Sequence, residues 1–131
     1  MRTETALLRC LADPTARWII EPHESAASES ALTGVLDGRV YQVVIDRTFI
    51  DANGTRWVID YKTSVHEGSG IEKFLDNERA RYQATLDRYA RLMQQREPRP
   101  VKLGLYFPLL NGWREWEAPP LVMRQASLFG D

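Results

Sequence analysis

The sequence has little cysteine, little net charge and no long apolar run, and each shortage excludes a class of protein. Cys10 is the only cysteine, which excludes an internal disulfide and any metal site built from several cysteines. No apolar run is long enough to cross a membrane and no signal peptide is visible, so we expect a cytoplasmic protein without a membrane partner. The formal net charge of −1 gives no overall attraction to nucleic acid, although 17 lysines and arginines leave room for a local basic surface.

The chain has 131 residues, of which 44% are hydrophobic and 27% charged, as in an ordinary soluble domain with a core. There is no internal repeat. We predict helices over residues 3–12 and 77–96, and a loop over 21–30. Strands are predicted over residues 17–20, 30–36, 39–50, 101–107 and 113–117. This order predicts an α/β fold with a mixed β-sheet flanked by helices, in one domain over residues 1–118 with a C-terminal tail over 119–131.

The most informative stretch is residues 43–63, which read as two strands joined by a tight turn. Side chains alternate along a strand, so Val58, Asp60 and Lys62 face one side of the sheet. An acid and an amine therefore stand side by side at the end of an apolar strand. Burying them is costly unless a metal ion or an ion pair compensates the charge.

The length of the turn decides whether Asp46, on the first strand, joins them. A two-residue loop at Asn53-Gly54 would pair Asp46 with Tyr61 and turn its carboxylate away from Asp60. A three-residue loop over 52–54 pairs Asp46 with Asp60 instead. Such a loop needs a left-handed residue at its last position, which Gly54 suits. We therefore predict the three-residue loop and two carboxylates on one face.

Two carboxylates on neighbouring strands can share a magnesium ion, which prefers oxygen ligands and retains several waters. The backbone carbonyl of Tyr61 lies between Asp60 and Lys62 and could supply a third oxygen. Lys62 could orient or deprotonate an attacking water, or stabilise charge that builds on a phosphate. This set predicts phosphodiester hydrolysis. The alternative is an ion-pair network at a strand end that holds no metal.

Residues 34–64, GVLDGRVYQVVIDRTFIDANGTRWVIDYKTS, closely resemble the core of the RecB/AddA-type nucleases in the PD-(D/E)XK superfamily. That family carries G-x-I-D-R, a turn and then I-V-D-Y-K-T, and this chain has Ile45-Asp46-Arg47 and Ile59-Asp60-Tyr61-Lys62-Thr63 at those places. The strand 103–108 and the segment 113–117 also resemble the end of the family domain. The resemblance thus covers residues 17–117, with the hairpin as its diagnostic part.

The resemblance implies a restriction-endonuclease-like fold and a metal-dependent DNA exonuclease. Asp46 and Asp60 would bind Mg²⁺ or Mn²⁺, Lys62 would be catalytic, and Glu29 matches a glutamate often found before the second strand, which makes it a further candidate ligand. Such domains usually form the C-terminal end of a helicase-nuclease that processes DNA ends in recombinational repair. The implied partners are therefore DNA ends or single strands and the helicase domains of a parent chain, of which this sequence would be a fragment.

Two departures of the sequence from the family pattern leave a second interpretation open. Its long helix usually reads Y-x-x-Q-L-x-x-Y-A, and here Thr85 stands where the glutamine belongs, between Tyr82 and Tyr89. Gln83 lies two residues earlier and projects ~120° away from Tyr89 around the helix. We treat Gln83, Thr85 and Tyr89 as candidate DNA contacts. Many members also carry an acid or histidine on an earlier helix, where this chain offers only Glu4. The domain could therefore be a catalytically silent DNA-binding or protein-docking module.

The tail contains Gln125-Ala126-Ser127-Leu128-Phe129, which resembles the pentapeptide that bacterial proteins use to bind the sliding clamp. Gln125, Ser127, Leu128 and Phe129 are the residues that would make this contact. The alternative is that Leu128 and Phe129 dock on the core of the domain itself. The sequence leaves both open.

Overall fold

A computed structural model describes residues 12–120. Two helices, α1 (Pro14–Ile20) and α2 (Ile71–Gln94), accompany five strands. The strands are β1 (Glu24–Leu36), β2 (Arg39–Ile50), β3 (Arg56–Tyr61), β4 (Val101–Phe107) and β5 (Gly112–Glu117). Their spatial order is β1-β2-β3-β4-β5, with β3 and β4 parallel and the other neighbours antiparallel. The predicted α/β fold with a mixed sheet is confirmed.

Each face of the sheet is covered by one helix. On one face, α2 packs its Leu86, Ala90 and Met93 on a cluster that includes Val58 and Leu103. On the other face, α1 supplies two residues to an aromatic cluster, namely Ala16 and Ile19 with Phe49, Trp57, Ile59 and Tyr106. The predicted flanking by helices is therefore also confirmed. No helix within residues 12–120 is long and apolar enough to cross a membrane.

The predicted strand over 17–20 is wrong, because these residues belong to α1. Asp13 caps this helix by accepting a hydrogen bond from the Thr15 amide at 3.0 Å, and Pro14 occupies its first turn. An aspartate followed by proline begins a helix as readily as it ends one, since proline needs no amide partner in the first turn. The predicted helix over 3–12 lies almost wholly outside the described residues.

Two other predicted boundaries are wrong. The polar segment 21–30, predicted as a loop, contains the first seven residues of β1. This strand lies at the edge of the sheet. The long helix begins at Ile71, six residues before the predicted start, directly after Gly70 with its φ of +81°. The predicted bounds of β2 and β4 agree with the structure, and β5 begins one residue earlier than predicted.

The first two strands extend beyond the end of β3 as a hairpin arm, which we define as residues 31–44. Asp37 and Gly38 form its two-residue turn, both at positive φ, as a tight hairpin requires. One face of the arm packs on α2, where Gly34 lets the Leu92 side chain approach closely. The other face carries exposed valines. Val44 is 56% exposed, so the apolar run 43–45 is not buried on both faces of the sheet.

Candidate active site

The turn between β2 and β3 has the predicted three-residue form. The Asp51 amide donates to the Thr55 carbonyl at 2.9 Å, the Gly54 amide donates to the Asp51 carbonyl at 3.0 Å, and Gly54 has a φ of +80°. Paired residues run from Ile50 opposite Arg56 to Arg47 opposite Ile59. This is the register that the three-residue loop predicts, and the ladder between β2 and β3 ends one step before Asp46 and Asp60.

Asp46, Asp60 and Lys62 meet where β3 ends, beneath α2. Asp46 accepts a hydrogen bond from the Tyr61 amide through Oδ2 at 2.8 Å. Lys62 Nζ lies 2.9 Å from Asp60 Oδ2, and their side chains are only 24% and 16% exposed. The Lys62 amide donates to the Tyr106 carbonyl at 2.9 Å, so β4 holds the backbone that carries the amine. The structure therefore brings together the three residues that the sequence singles out.

The pKa of Asp60 is raised by its burial and by the neighbouring Asp46 carboxylate. Burial, a hydrogen bond shared with Asp46 and the negative charge of Asp46 raise the pKa of Asp60 to about 6, against the opposing effect of Lys62. Burial would lower the pKa of Lys62, but its hydrogen bond to Asp60 and the charge of that group outweigh burial and raise it. Lys62 is therefore an ammonium at neutral pH, which donates hydrogen bonds and does not act as a base.

Two tyrosines of α2 form the wall opposite the carboxylates. The Tyr82 ring centroid lies 3.8 Å from Lys62 Nζ, close enough for a cation–π interaction. Tyr89 lies two turns later on the same side of the helix. Burial and the negative charge of Asp60 raise the pKa of the Tyr89 phenol, so this hydroxyl lies in the field of the site. Helical spacing places Tyr82 in the apolar stripe of α2 and gives no sign of its contact with Lys62.

Glu78 is a second residue that was not predicted from the sequence. This carboxylate is buried on α2 one turn before Tyr82, where it accepts a hydrogen bond from the Ser64 hydroxyl at 3.4 Å and lies 3.6 Å from Arg81. Its spacing of four residues from Tyr82 was the available signal, because residues i and i+4 share one side of a helix. Glu78 ties the segment after Lys62 to the helix that covers the site.

The donor set of the site suits a hard divalent ion. Asp46 and Asp60 present carboxylate oxygens side by side, and a nearby dication would favour the ionised form of Asp60 against burial and the charge of Asp46, which raise its pKa. The Tyr61 carbonyl belongs to the residue between Asp60 and Lys62. Within residues 12–120, no three Asp, Glu, His or Cys side chains come together as a complete set of ligands. A metal here would thus rest on two carboxylates, backbone and water, which Mg²⁺ accepts.

Glu29 does not complete this set. It lies on β1 between residues that pair with Arg47 and Ile45, and so stands across from Asp46 in sequence register. Its φ is +50° within the continuous strand β1, and its side chain is exposed. Since no group of three acids forms within the described residues, the proposed ligand role of Glu29 gains no support from the geometry.

The remaining candidates lie around the site or outside the described residues. Thr85 and Gln83 are half-buried on α2, where Thr85 shares the side of Tyr89 and Gln83 does not. Arg47 turns to the opposite face and donates to the Ile19 and Glu21 carbonyls at 2.9 and 3.1 Å, so it fastens α1. The residues predicted to contact a sliding clamp lie outside the described residues, namely Gln125, Ser127, Leu128 and Phe129.

A cavity lies away from this chemistry. It encloses about 690 Å³ near the start of β4, between Pro98 and Lys102, at the opposite end of the strands from Asp60. The candidate site lies instead at the junction of the hairpin arm, the end of β3 and α2, where Asp60 and Lys62 are partly exposed.

Comparisons with known proteins add little to this picture. No protein-family model matches the sequence, and no curated protein matches it. Among solved structures, the chain is similar to one described as the crystal structure of SSO0001, with 16% sequence identity and a TM-score of 0.43. The match covers 96% of this chain but only 61% of the other. A similarity of this degree says nothing about function.

Proposed function

We propose that this chain is a metal-dependent DNA exonuclease domain that hydrolyses phosphodiester bonds at DNA ends or in single strands. The observation that supports the proposal most is the convergence of Asp46, Asp60 and Lys62, with the amine 2.9 Å from one carboxylate. Two acids and an ammonium at one strand end are costly to bury, and a cation and a phosphodiester are the partners that would offset the cost. The resemblance of residues 34–64 to the RecB/AddA-type nucleases supports the same function.

In this proposal, Asp46, Asp60 and the Tyr61 carbonyl hold Mg²⁺ or Mn²⁺. When bound, the ion acidifies a water and polarises the phosphate. Lys62, which is protonated at neutral pH, donates hydrogen bonds to the attacking water or to the phosphate oxygens on which charge develops. Of the roles that the sequence left open for Lys62, the raised pKa favours orientation and charge stabilisation over proton abstraction. The Tyr82 ring holds the ammonium in place.

The test compares cleavage of end-labelled single-stranded and duplex DNA with Mg²⁺ or Mn²⁺ by the chain and by Asp46→Asn, Asp60→Asn and Lys62→Met. Each substitution should reduce the rate by about a hundredfold or more, the usual loss when a group that stabilises the transition state is removed. Glu29→Gln is the matched control and should cleave at the rate of the parent chain. Cleavage that survives all three site substitutions would refute the assignment.

A second candidate is a catalytically silent DNA-binding or protein-docking module. Thr85 at the motif position and the lack of a third acidic ligand within residues 12–120 favour it. This module would bind DNA, but with equal affinity in the parent chain and in Lys62→Met, and no metal would change its stability. Magnesium-dependent stabilisation that Asp60→Asn abolishes would argue against it.

The wider setting follows from the same proposal. Helicase domains of a parent chain would supply single strands or ends, and residues 125–129 would offer a contact for the sliding clamp. Both partners belong in the cytoplasm. Co-purification of the chain with a sliding clamp, compared with Leu128→Ala, tests the tail independently of catalysis.

A further inference from the structure

Two arginines converge on one tyrosine in the hairpin arm, beside the candidate site. The guanidinium carbon of Arg88, on α2, lies 4.7 Å from the centroid of the Tyr41 ring, and that of Arg39 lies 5.7 Å from it. Arg39 and Arg88 are exposed, whereas Tyr41 is half-buried and packs on the core beneath α2. The ring therefore holds two cations from different elements within 5.7 Å of its centre.

These cations lack an acidic partner in the part of the chain that the structure describes. Neither Arg39 nor Arg88 forms an ion pair or a side-chain hydrogen bond there. Three other arginines on or near α2 are engaged by acids, whereas Arg79 lies over the Trp116 ring. The engaged pairs are Arg81 with Glu78, Arg91 with Asp37, and Arg114 with Glu72 and Asp76. Two like charges that are held together without a carboxylate favour an anion from outside.

The position of the pair suits a substrate strand that enters the candidate site. Tyr41 precedes Asp46 by five residues on β2, a distance of roughly 17 Å along the strand. Arg88 directly precedes Tyr89, which lies in the field of the site carboxylates. Tyr41 packs on the cluster beneath α2, and Asp46 shares a hydrogen bond with Asp60 on that same side, so strict alternation does not hold between Tyr41 and Asp46. An extended polynucleotide of a few units would span this distance.

We propose that Arg39 and Arg88, held by Tyr41, bind backbone phosphates of single-stranded DNA, so that the strand crosses the hairpin arm on its way to the site. The inference rests on the proposed function, because it takes DNA as the ligand. It adds the path of the DNA, which lies over the hairpin arm and not over the first turns of α2. Guanidinium groups and phosphate oxygens form charge-assisted hydrogen bonds, and grooves for single strands combine such cations with aromatic rings.

The test measures anisotropy of fluorescein-labelled oligothymidylate with the complete chain, without divalent metal, across a series of salt concentrations. Removing one cation that binds a phosphate should lower the slope of log affinity against log salt by about 0.7 for a single strand. Arg88→Gln and Arg39→Gln should each show this decrease, and Arg88→Lys should retain most of the slope. Arg17→Gln is the matched control, because Arg17 is exposed on α1 at the opposite face of the sheet.

The outcomes separate this inference from the proposed function. Weaker binding and smaller slopes for both arginine variants, with Arg17→Gln unchanged, support the inference even if the chain cleaves no DNA. Unchanged slopes for both variants overturn it, even if Asp60-dependent cleavage is found. A smaller slope for Lys73→Gln, in the first turn of α2, with no effect of Arg88→Gln would place the strand at the other end of the helix and overturn it as well. Failure of the parent chain to bind oligothymidylate also overturns it.

Discussion

Replacing Asp60 with asparagine should stabilise the metal-free protein above neutral pH. Asparagine has the shape of the protonated acid, and its amide can donate to Asp46 without adding a charge. The pKa of Asp60 rises from 3.8 to about 6 because of burial and of Asp46. Such a group adds stability that is fully present below pH 3.8 and is lost as the pH rises through about 6. At high pH the parent chain carries the ionised form, which the fold disfavours.

The size of the effect follows from the shift. A rise of about 2 pKa units, at 1.36 kcal/mol per unit, amounts to about 3 kcal/mol as an upper value. The advantage of Asp60→Asn in the free energy of unfolding should therefore grow by up to about 3 kcal/mol between about pH 4 and about pH 8. Urea unfolding of both proteins in chelator, at a series of pH values, measures this difference directly.

Two further measurements test the role of the Asp60 charge. In Asp51→Asn, the change in the free energy of unfolding should depend on pH in the opposite sense. Burial alone would raise the pKa of Asp51, but hydrogen bonds from the Trp57 indole and the Thr55 and Asn53 amides outweigh burial and lower the pKa. That substitution should cost stability at neutral pH, and the cost should shrink as the acid is protonated. Magnesium should stabilise the parent chain and leave Asp60→Asn unchanged, since an ion stabilises only the fold that binds it. Parallel pH profiles for the parent and Asp60→Asn would refute the account.

Three other substitutions test separate contacts. Tyr82→Leu should lower stability by about 1 kcal/mol and reduce cleavage, because Lys62 loses its cation–π partner. Tyr82→Phe keeps the ring and should match the parent chain in both assays. Gly104→Ala should cost about 1–3 kcal/mol in urea unfolding, because a Cβ there would overlap the Trp113 ring; an unchanged midpoint would mean that this ring moves freely. Arg47→Gln should cost about 1–3 kcal/mol by freeing the carbonyls at the end of α1, with magnesium stabilisation intact; a lost metal response would place Arg47 in the site.

The parts of the fold that were predicted correctly depend on contacts between near neighbours in sequence. The register of Asp46 with Asp60 depends on one turn of three residues, and Gly54 indicates that turn locally. The strands β2 and β4 have apolar runs bounded by turn residues, so their limits agree with the structure. Where the hydrophobic pattern and the turn residues indicate the same element, the sequence is sufficient to predict that element.

The errors arise where the tertiary structure decides. The first half of β1 is polar because it lies at an exposed edge, and a strand with little burial shows no alternation. The first turn of α2 follows two glycines at 68 and 70, which locally indicate a loop. The contacts of Tyr82 with Lys62 and of Arg88 with Tyr41 join segments that are distant in sequence, so no spacing could have revealed them.

The candidate site lies where three elements end or diverge, and this explains its chemistry. Strand β3 ends at Tyr61 while β2 continues into the hairpin arm, and the ladder between them ends one step before the two acids. The carboxylates thus stand at the end of a ladder, where α2 keeps them half-buried. Full burial would force one acid to stay protonated, and full exposure would screen the charges that bind a cation. Only the intermediate position leaves Asp60 with a pKa near 6, ionised at neutral pH yet still repelled by Asp46. A divalent cation removes that repulsion, so the same feature that weakens the metal-free fold should strengthen metal binding.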